Sequence, residues 1–196
     1  IQKVQSFCNY MDIYLSPDNG FRVTDNAEKK EAVLMAALSL SFCWAFGGPL
    51  YEQEQDYVST IVRDKFMMHS EEPLYNMYLD YETQSLFSWS DKLDKLEFED
   101  NIKYYDLIVP TADTVKVGYI MKALFRHQKH VFLTGRSGVG KSVLAHAVFK
   151  DHDSSMFKTL QFIFSAKTDA NQTQETILAQ GNLEEKNKYT KTAKPG

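Results

Sequence analysis

Apolar residues recur at helical spacing through the first seventy positions. Val4, Phe7, Cys8, Met11, Tyr14 and Leu15 share one face of a first helix, and Tyr57, Val58, Ile61, Val62 and Phe66 share one face of a third. Between them the run from Ala32 to Phe46 is apolar almost throughout, which predicts a helix buried on most sides. Asp25 and Glu28 are placed as a capping pair at its start, and Gly47-Gly48-Pro49 stops it. Three such helices make a small bundle. After Glu71-Glu72-Pro73 the period shortens, and Leu74 to Leu79 with Leu86 to Trp89 predict a hairpin turning at Glu82-Thr83-Gln84-Ser85.

Beyond Tyr105 the texture changes again. Asp106 to Thr111 leads into a helix whose buried side carries Val115, Ile120, Met121, Leu124 and Phe125. His130 to Thr134 predicts a short buried strand, Ser142 to Phe149 a helix, and Phe157 to Phe164 a second strand. Thr173 to Gln180 predicts a further helix, opened by Asn171 or Thr173. Strand and helix in alternation imply an α/β fold with a parallel sheet. The lysine-rich end, Glu185 to Gly196, has no large aliphatic group and predicts a solvated loop. The divisions follow: a helical subdomain over 1–70, a connector with a hairpin over 71–105, and an α/β half-domain over 106–196.

Composition narrows the class. The 196 residues are 43% hydrophobic and 24% charged, a globular balance sufficient for one large domain or two small ones. A net charge of −4 disfavours nucleic acid or an anionic membrane as the main partner, because those surfaces select basic patches. Cys8 and Cys43 sit in apolar helical patterns without C-x-x-C spacing; they predict core fillers in a reducing compartment rather than a disulfide framework. The apolar run ending at Phe46 spans only about 15 residues and holds Ser39 and Ser41, short for a bilayer. Ile1 in place of a start methionine, ahead of an amphipathic helix, suggests a piece of a longer polypeptide without a signal peptide.

The chemistry concentrates in Gly135-Arg136-Ser137-Gly138-Val139-Gly140-Lys141-Ser142, which has the G-x-x-x-x-G-K-[ST] spacing of a Walker A phosphate loop. Glycines let the chain curl so that successive backbone N–H groups face a phosphate chain. Lys141 would reach the terminal phosphates, Ser142 would ligate Mg²⁺, and a helix starting at Lys141 would add its positive end. A strand before and a helix after are the setting the motif requires. A glycine-rich connecting turn would explain neither the lysine nor the hydroxyl.

Hydrolysis by such a protein needs an acid at the end of a hydrophobic strand to hold the metal ion. After Lys141 the acids are Asp151, Asp153, Asp169, Glu175, Glu184 and Glu185, and none ends an apolar run. Catalytic residues are therefore not expected in this stretch. Asn187-Lys188-Tyr189-Thr190 lacks the aspartate of a guanine-reading segment, which favours ATP or ADP. His127, His130 and His146 have no third ligand at zinc spacing, and Met67, Met68, Met77, Trp44 and Trp89 read as packing residues.

Ile108-Val109-Pro110-Thr111-Ala112-Asp113-Thr114-Val115, a helix, Val131-Phe132-Leu133-Thr134-Gly135 and the phosphate loop together closely resemble the third AAA+ module of dynein heavy chains. Phe42 to Gly48 resembles the end of the preceding module's helical lid, and Trp89 to Asp106 the connector between modules, so the likeness spans nearly the whole chain. It implies a P-loop NTPase (AAA+) sheet preceded by a lid, with 1–70 in the second module and 106–196 the first half of the third. The same likeness implies a nucleotide site that regulates a six-module ring driving microtubule-based movement. Partners implied are the neighbouring AAA+ modules, intermediate and light chains, and microtubules. It implies a cytoplasmic, cytoskeletal location, in a cilium or flagellar axoneme. Ile108, Val109 and Pro110 would face the adenine by this resemblance; as an apolar strip they could equally pack a sheet edge. Arg136 and Lys116-Val117 depart from the family's usual residues, at positions touching specificity and ring contacts more than the cradle. Two other readings stand beside this one: a structural spacer with a vestigial or ADP-locked site, and a free-standing P-loop kinase or ATPase.

Overall fold

The computed structural model describes residues 1–22, 26–70, 72–93, 109–150, 159–181, 183–187 and 190–193. The chain divides into two compact units, Ile1–Val148 and Phe149–Gly196.

The first unit begins with helices α1 (Gln2–Tyr14), α2 (Ala27–Phe42) and α3 (Glu52–Phe66). Asn26 caps α2 by accepting from Lys29 N at 3.1 Å, one position away from the expected Asp25, which lies outside the described residues. At its far end α2 runs into a π-turn, Cys43–Gly47, before Gly48 ends it. Helix and π-turn together cover Ala27–Gly47, 21 residues, longer than the apolar run indicated and sufficient by length and composition to cross a membrane. Their inner face is occupied by the protein itself: Val33, Ala36, Ala37, Leu40 and Cys43 form one core with Tyr14, Val62, Leu74, Tyr75 and Leu79.

Two of the expected faces are displaced. Burial of α1 is confined to its last turn, at Ile13 and Tyr14, whereas Val4 is 59% exposed and Cys8 is exposed rather than a core filler. On α3 the buried residues are Ser59 and Val62, with Val58 half-buried beside them, and Tyr57 and Ile61 stand in solvent on the flanks. A helix turns 100° per residue, so a neighbour one position off the inward row is carried out of the core. Met67, at the left-handed end of α3, is exposed, while Met68 reaches the core and Trp89 is buried.

The hairpin forms as the alternation indicated, while residues 94–105 of the expected connector lie outside the described residues. Strand β1 (Met77–Asp80) pairs antiparallel with β2 (Ser85–Ser88), Met77 opposite Ser88 and Asp80 opposite Ser85. Asp80 closes the turn by accepting from Thr83 N at 3.0 Å and Thr83 Oγ1 at 2.6 Å; these bonds hold its carboxyl below the usual carboxylate range. Backbone and core interlock nearby: Ser59 Oγ accepts from Leu74 N at 2.7 Å, and Tyr75 Oη donates to Cys43 O at 2.8 Å.

Helix α4 (Ala112–Arg126) opens with a reciprocal cap, Thr114 N on Thr111 Oγ1 and Thr111 N on Thr114 Oγ1. Its buried face, Ile120, Ala123 and Leu124, packs with Ile13 of α1 in a second apolar cluster that Tyr10, Trp44, Tyr119 and Val131 flank. Helix α5 (Lys141–Lys150) follows the phosphate loop.

In the second unit, α6 (Ala170–Gly181) starts at Asp169, whose Oδ1 accepts from Gln172 N at 2.7 Å; neither Asn171 nor Thr173 is the cap. The expected terminal loop contains a hairpin, β3 (Leu183–Asn187) with β4 (Thr190–Ala193). Thr190 and Thr192 supply the β-branched alternation that a composition-based reading passes over.

Both sheets among the described residues are two-stranded and antiparallel. His130 to Thr134 and residues 159–164 carry no ladder bonds there, although burial alternates at 131–134 as on a strand. Phe132 is 90% exposed, Ile163 86% and Phe164 69%. A parallel strand gains order only from neighbours brought in by crossovers, and these segments lack such neighbours among the described residues.

Candidate functional site

The loop between Thr134 and α5 has the backbone its glycines permit. Gly138 and Gly140 adopt φ of +82° and +83°, left-handed values that L side chains resist. A Cβ built on either would meet nothing within 4 Å, so both glycines border open space. Leu144 N bonds Gly140 O at 2.9 Å, starting α5 at the last glycine. The N–H groups of the first helical turn have no partner within the helix and carry the positive end of its dipole.

Lys141 lies across this curl. Its Nζ donates to Gly135 O at 2.9 Å and to Arg136 O, so the ammonium sits at the loop carbonyls and its stem passes near Gly135. Arg136, Ser137, Val139 and Ser142 are exposed. A full anionic charge outcompetes carbonyl dipoles for an ammonium, since two opposite unit charges attract more strongly than a charge and a dipole at the same distance. The residues present therefore fit a phosphate chain. Ser142 stands on the first turn of α5, next to Lys141.

The loop is carried by packed helices. Val148 of α5 is 2% exposed, and the Gly118 position on α4 faces Leu144 Cδ1 and Val148 Cγ2. Gly118 escaped the sequence reading, although a glycine inside a helical pattern is a signal of close approach. Of the apolar strip ahead of α4, Val109 is 55% exposed and Pro110 half-buried; Ile108 lies outside the described residues. Pro110 immediately precedes the Thr111 cap, which sets the strip's exit into α4.

The remaining candidates do not converge on one site. Among the described residues no cluster of three His, Cys, Asp or Glu side chains could hold a metal ion. His127 Nε2 lies 3.3 Å from Asn19 Nδ2, and His130 and His146 are exposed. Asp169 is engaged as a helix cap; Asp151 and Asp153 lie outside the described residues. An apolar concavity lined by Thr173, Gln174, Ile177 and Leu178 belongs to α6 and includes no residue of the phosphate loop.

A glycine curl, its lysine and the helix behind it, preceded by a helical lid, define a P-loop protein of the AAA+ class. Residues 96–195 match the family profile of the P-loop containing dynein motor region, and residues 1–91 match that of the dynein heavy chain AAA lid domain. The chain belongs to the dynein heavy chain family. It is 28% identical over 195 residues to human dynein axonemal heavy chain 6, an alignment covering 96% of this chain and 5% of the relative. Human dynein axonemal heavy chain 2 is 27% identical over 176 residues, 89% of this chain and 4% of that one. The Chlamydomonas reinhardtii dynein-1-beta heavy chain of the flagellar inner arm I1 complex is 27% identical over 151 residues, 75% of this chain and 3% of the relative. The chain thus spans about one-twentieth or less of the length of these relatives. Motor regions of this class bind nucleotide.

Proposed function

We propose that residues Gly135 to Ser142 hold the phosphates of ATP or ADP in a regulatory module of a dynein heavy chain, the third of an AAA+ ring that drives microtubule-based movement. One observation carries this reading: Gly138 and Gly140 hold left-handed conformations bordering open space, and the Lys141 ammonium bonds carbonyls of the same loop. Lys141 exchanges its carbonyl partners for phosphate oxygens, and the first-turn amides of α5 complete the cradle. Ser142 is the ligand for Mg²⁺, which when bound neutralises phosphate charge. Val109 and Pro110, with Ile108, form one wall against the adenine. Residues 1–70 are the lid of the preceding module, 71–105 the connector and 106–196 the first half of the large subdomain. Neighbouring modules, intermediate and light chains and microtubules are the partners of the full motor. The names of the axonemal and flagellar relatives support a cytoskeletal place in a cilium or flagellum.

The test is Lys141→Ala in the heavy-chain motor region containing this segment. ADP should slow amide exchange in peptides covering 135–150 of the unmodified motor and not of the variant, and microtubule gliding by the variant should slow or stall. Equal protection in both would overturn the site. Lost protection with undiminished gliding would leave the site in place and make it a spacer's.

A further inference from the structure

Outside the phosphate loop, three aromatic side chains meet around Lys92. Lys92 ends the 3₁₀ turn Trp89–Lys92 after the hairpin. Its Nζ lies 3.9 Å from the ring centroid of Tyr78 on β1, 5.5 Å from that of Tyr119 on α4 and 5.7 Å from that of Trp89. The rings contact one another as well: Trp89 is 4.9 Å from Tyr78 and 5.1 Å from Tyr119, centroid to centroid. Three π-faces around one ammonium form a cation–π cage, here filled by the chain's own lysine. Trp89 is 2% exposed, so the cage has a solid floor. One turn earlier on the same helix, Lys116 Nζ donates to Asn76 Oδ1 at 3.3 Å and pairs with Asp113 at 2.7 Å, a second tie from α4 to the connector.

The cage touches α4 at the level of the phosphate-loop helix. Tyr119 adjoins Gly118, the position that faces Leu144 and Val148 of α5, and α5 begins at Lys141. A rigid helix gripped at Tyr119 and packed against α5 at the adjoining Gly118 is a continuous mechanical link.

We propose that Lys92 is a positioning residue that pins the hairpin to α4 and thereby sets the seating of α5 and the nucleotide affinity of the loop. The affinity part rests on the nucleotide-binding reading above; the pinning of α4 and α5 does not. Lys92 lies outside the phosphate loop, so its influence is conformational: without the ammonium α4 keeps the Trp89–Tyr119 ring contact and the Lys116–Asn76 bond but loses the tie through Lys92, and α5 rests on a less ordered support.

The test compares Lys92→Met, Lys92→Arg and Lys141→Ala in the heavy-chain motor region, by amide exchange with and without ADP. Lys92→Met keeps the stem and removes the charge; it should speed exchange in peptides from 112–126 and 141–150 and raise the ADP midpoint for protection of 135–150 roughly five-fold. Lys92→Arg, which keeps a cation for the rings, should stay within about two-fold of the unmodified protein. Unchanged exchange in 112–126 with Lys92→Met would overturn the pin. Faster exchange there with 141–150 and the ADP midpoint unmoved would overturn its reach to the loop. If the unmodified protein gains no protection from ADP, the binding reading fails by itself, and the exchange of 112–126 and 141–150 still decides for or against the pin. Equal loss in Lys92→Arg and Lys92→Met would reduce Lys92 to stem packing and refute the cage.

Discussion

At the scale of single residues, the most demanding fit is at the end of α2. The widened backbone of the π-turn leaves the Cys43 carbonyl to Tyr75, and the hydroxyl that bonds it occupies the space where a Gly47 side chain would begin. Gly47→Ala should therefore cost about 2–4 kcal/mol in urea unfolding, and Tyr75→Phe in the same chain should recover part of that loss, because the clash is chiefly with the hydroxyl. The same pocket controls thiol chemistry. Burial pushes the Cys43 thiol up to about 12, whereas Cys8 is exposed, so a thiol reagent should label Cys8 in the folded chain and Cys43 only after unfolding. Burial likewise raises Tyr10 to about 12, and Tyr14, Tyr75 and Tyr81 are raised too. All these groups lose protons more readily in the unfolded chain. Their contribution to stability is thus complete below about pH 9 and is lost as pH rises towards about 12. Melting temperature measured from pH 7 to 11 should hold level and then fall; a rise across that range would contradict the burial of these hydroxyls and the thiol.

Among the elements, α4 and α5 show how local sequence and packing divide the work. The hydrophobic face of α4 and the glycine-to-helix junction at Lys141 follow from residue type and spacing, and the structure has them where the pattern placed them; the Thr111 and Thr114 cap is seen only in the structure. Helix starts at Asn26 and Asp169 were less legible, because several small polar residues stand within a few positions and only the chain's path selects one. Gly118 offers a direct test of the α4–α5 contact. A Cβ there would sit 3.7 Å from Leu144 Cδ1 and 3.8 Å from Val148 Cγ2, ordinary contact distances inside a helix where glycine is unfavourable. Gly118→Ala should consequently stabilise the fold by about 0.5–1 kcal/mol, read as a higher urea midpoint. A loss would mean that the helices approach more closely than these distances allow.

For the molecule as a whole, the decisive feature is how much apolar strand surface the chain leaves uncovered. Phe132, Ile163 and Phe164 are among its most exposed large side chains, in segments without ladder partners among the described residues. Such edges favour self-association. The isolated chain should accordingly sediment in a concentration-dependent way, and Phe132→Lys should shift it towards monomer; ideal monomer behaviour at all concentrations would show that the edge is covered.

The sequence by itself determined the left-handed glycine turn ahead of α5, the β1–β2 hairpin and the helical character of the first seventy residues. These depend on local spacing: glycines where φ must be positive, period 2 around a polar turn, and period 3.6 along a buried face. Only the tertiary structure decided which side of α1 and α3 turns inward, that Cys8 is exposed and Cys43 enclosed, and that Tyr75 fills the space beside Gly47. Those outcomes rest on contacts between residues far apart in the chain, and a one-residue rotation of a helix exchanges core for solvent without altering the local pattern.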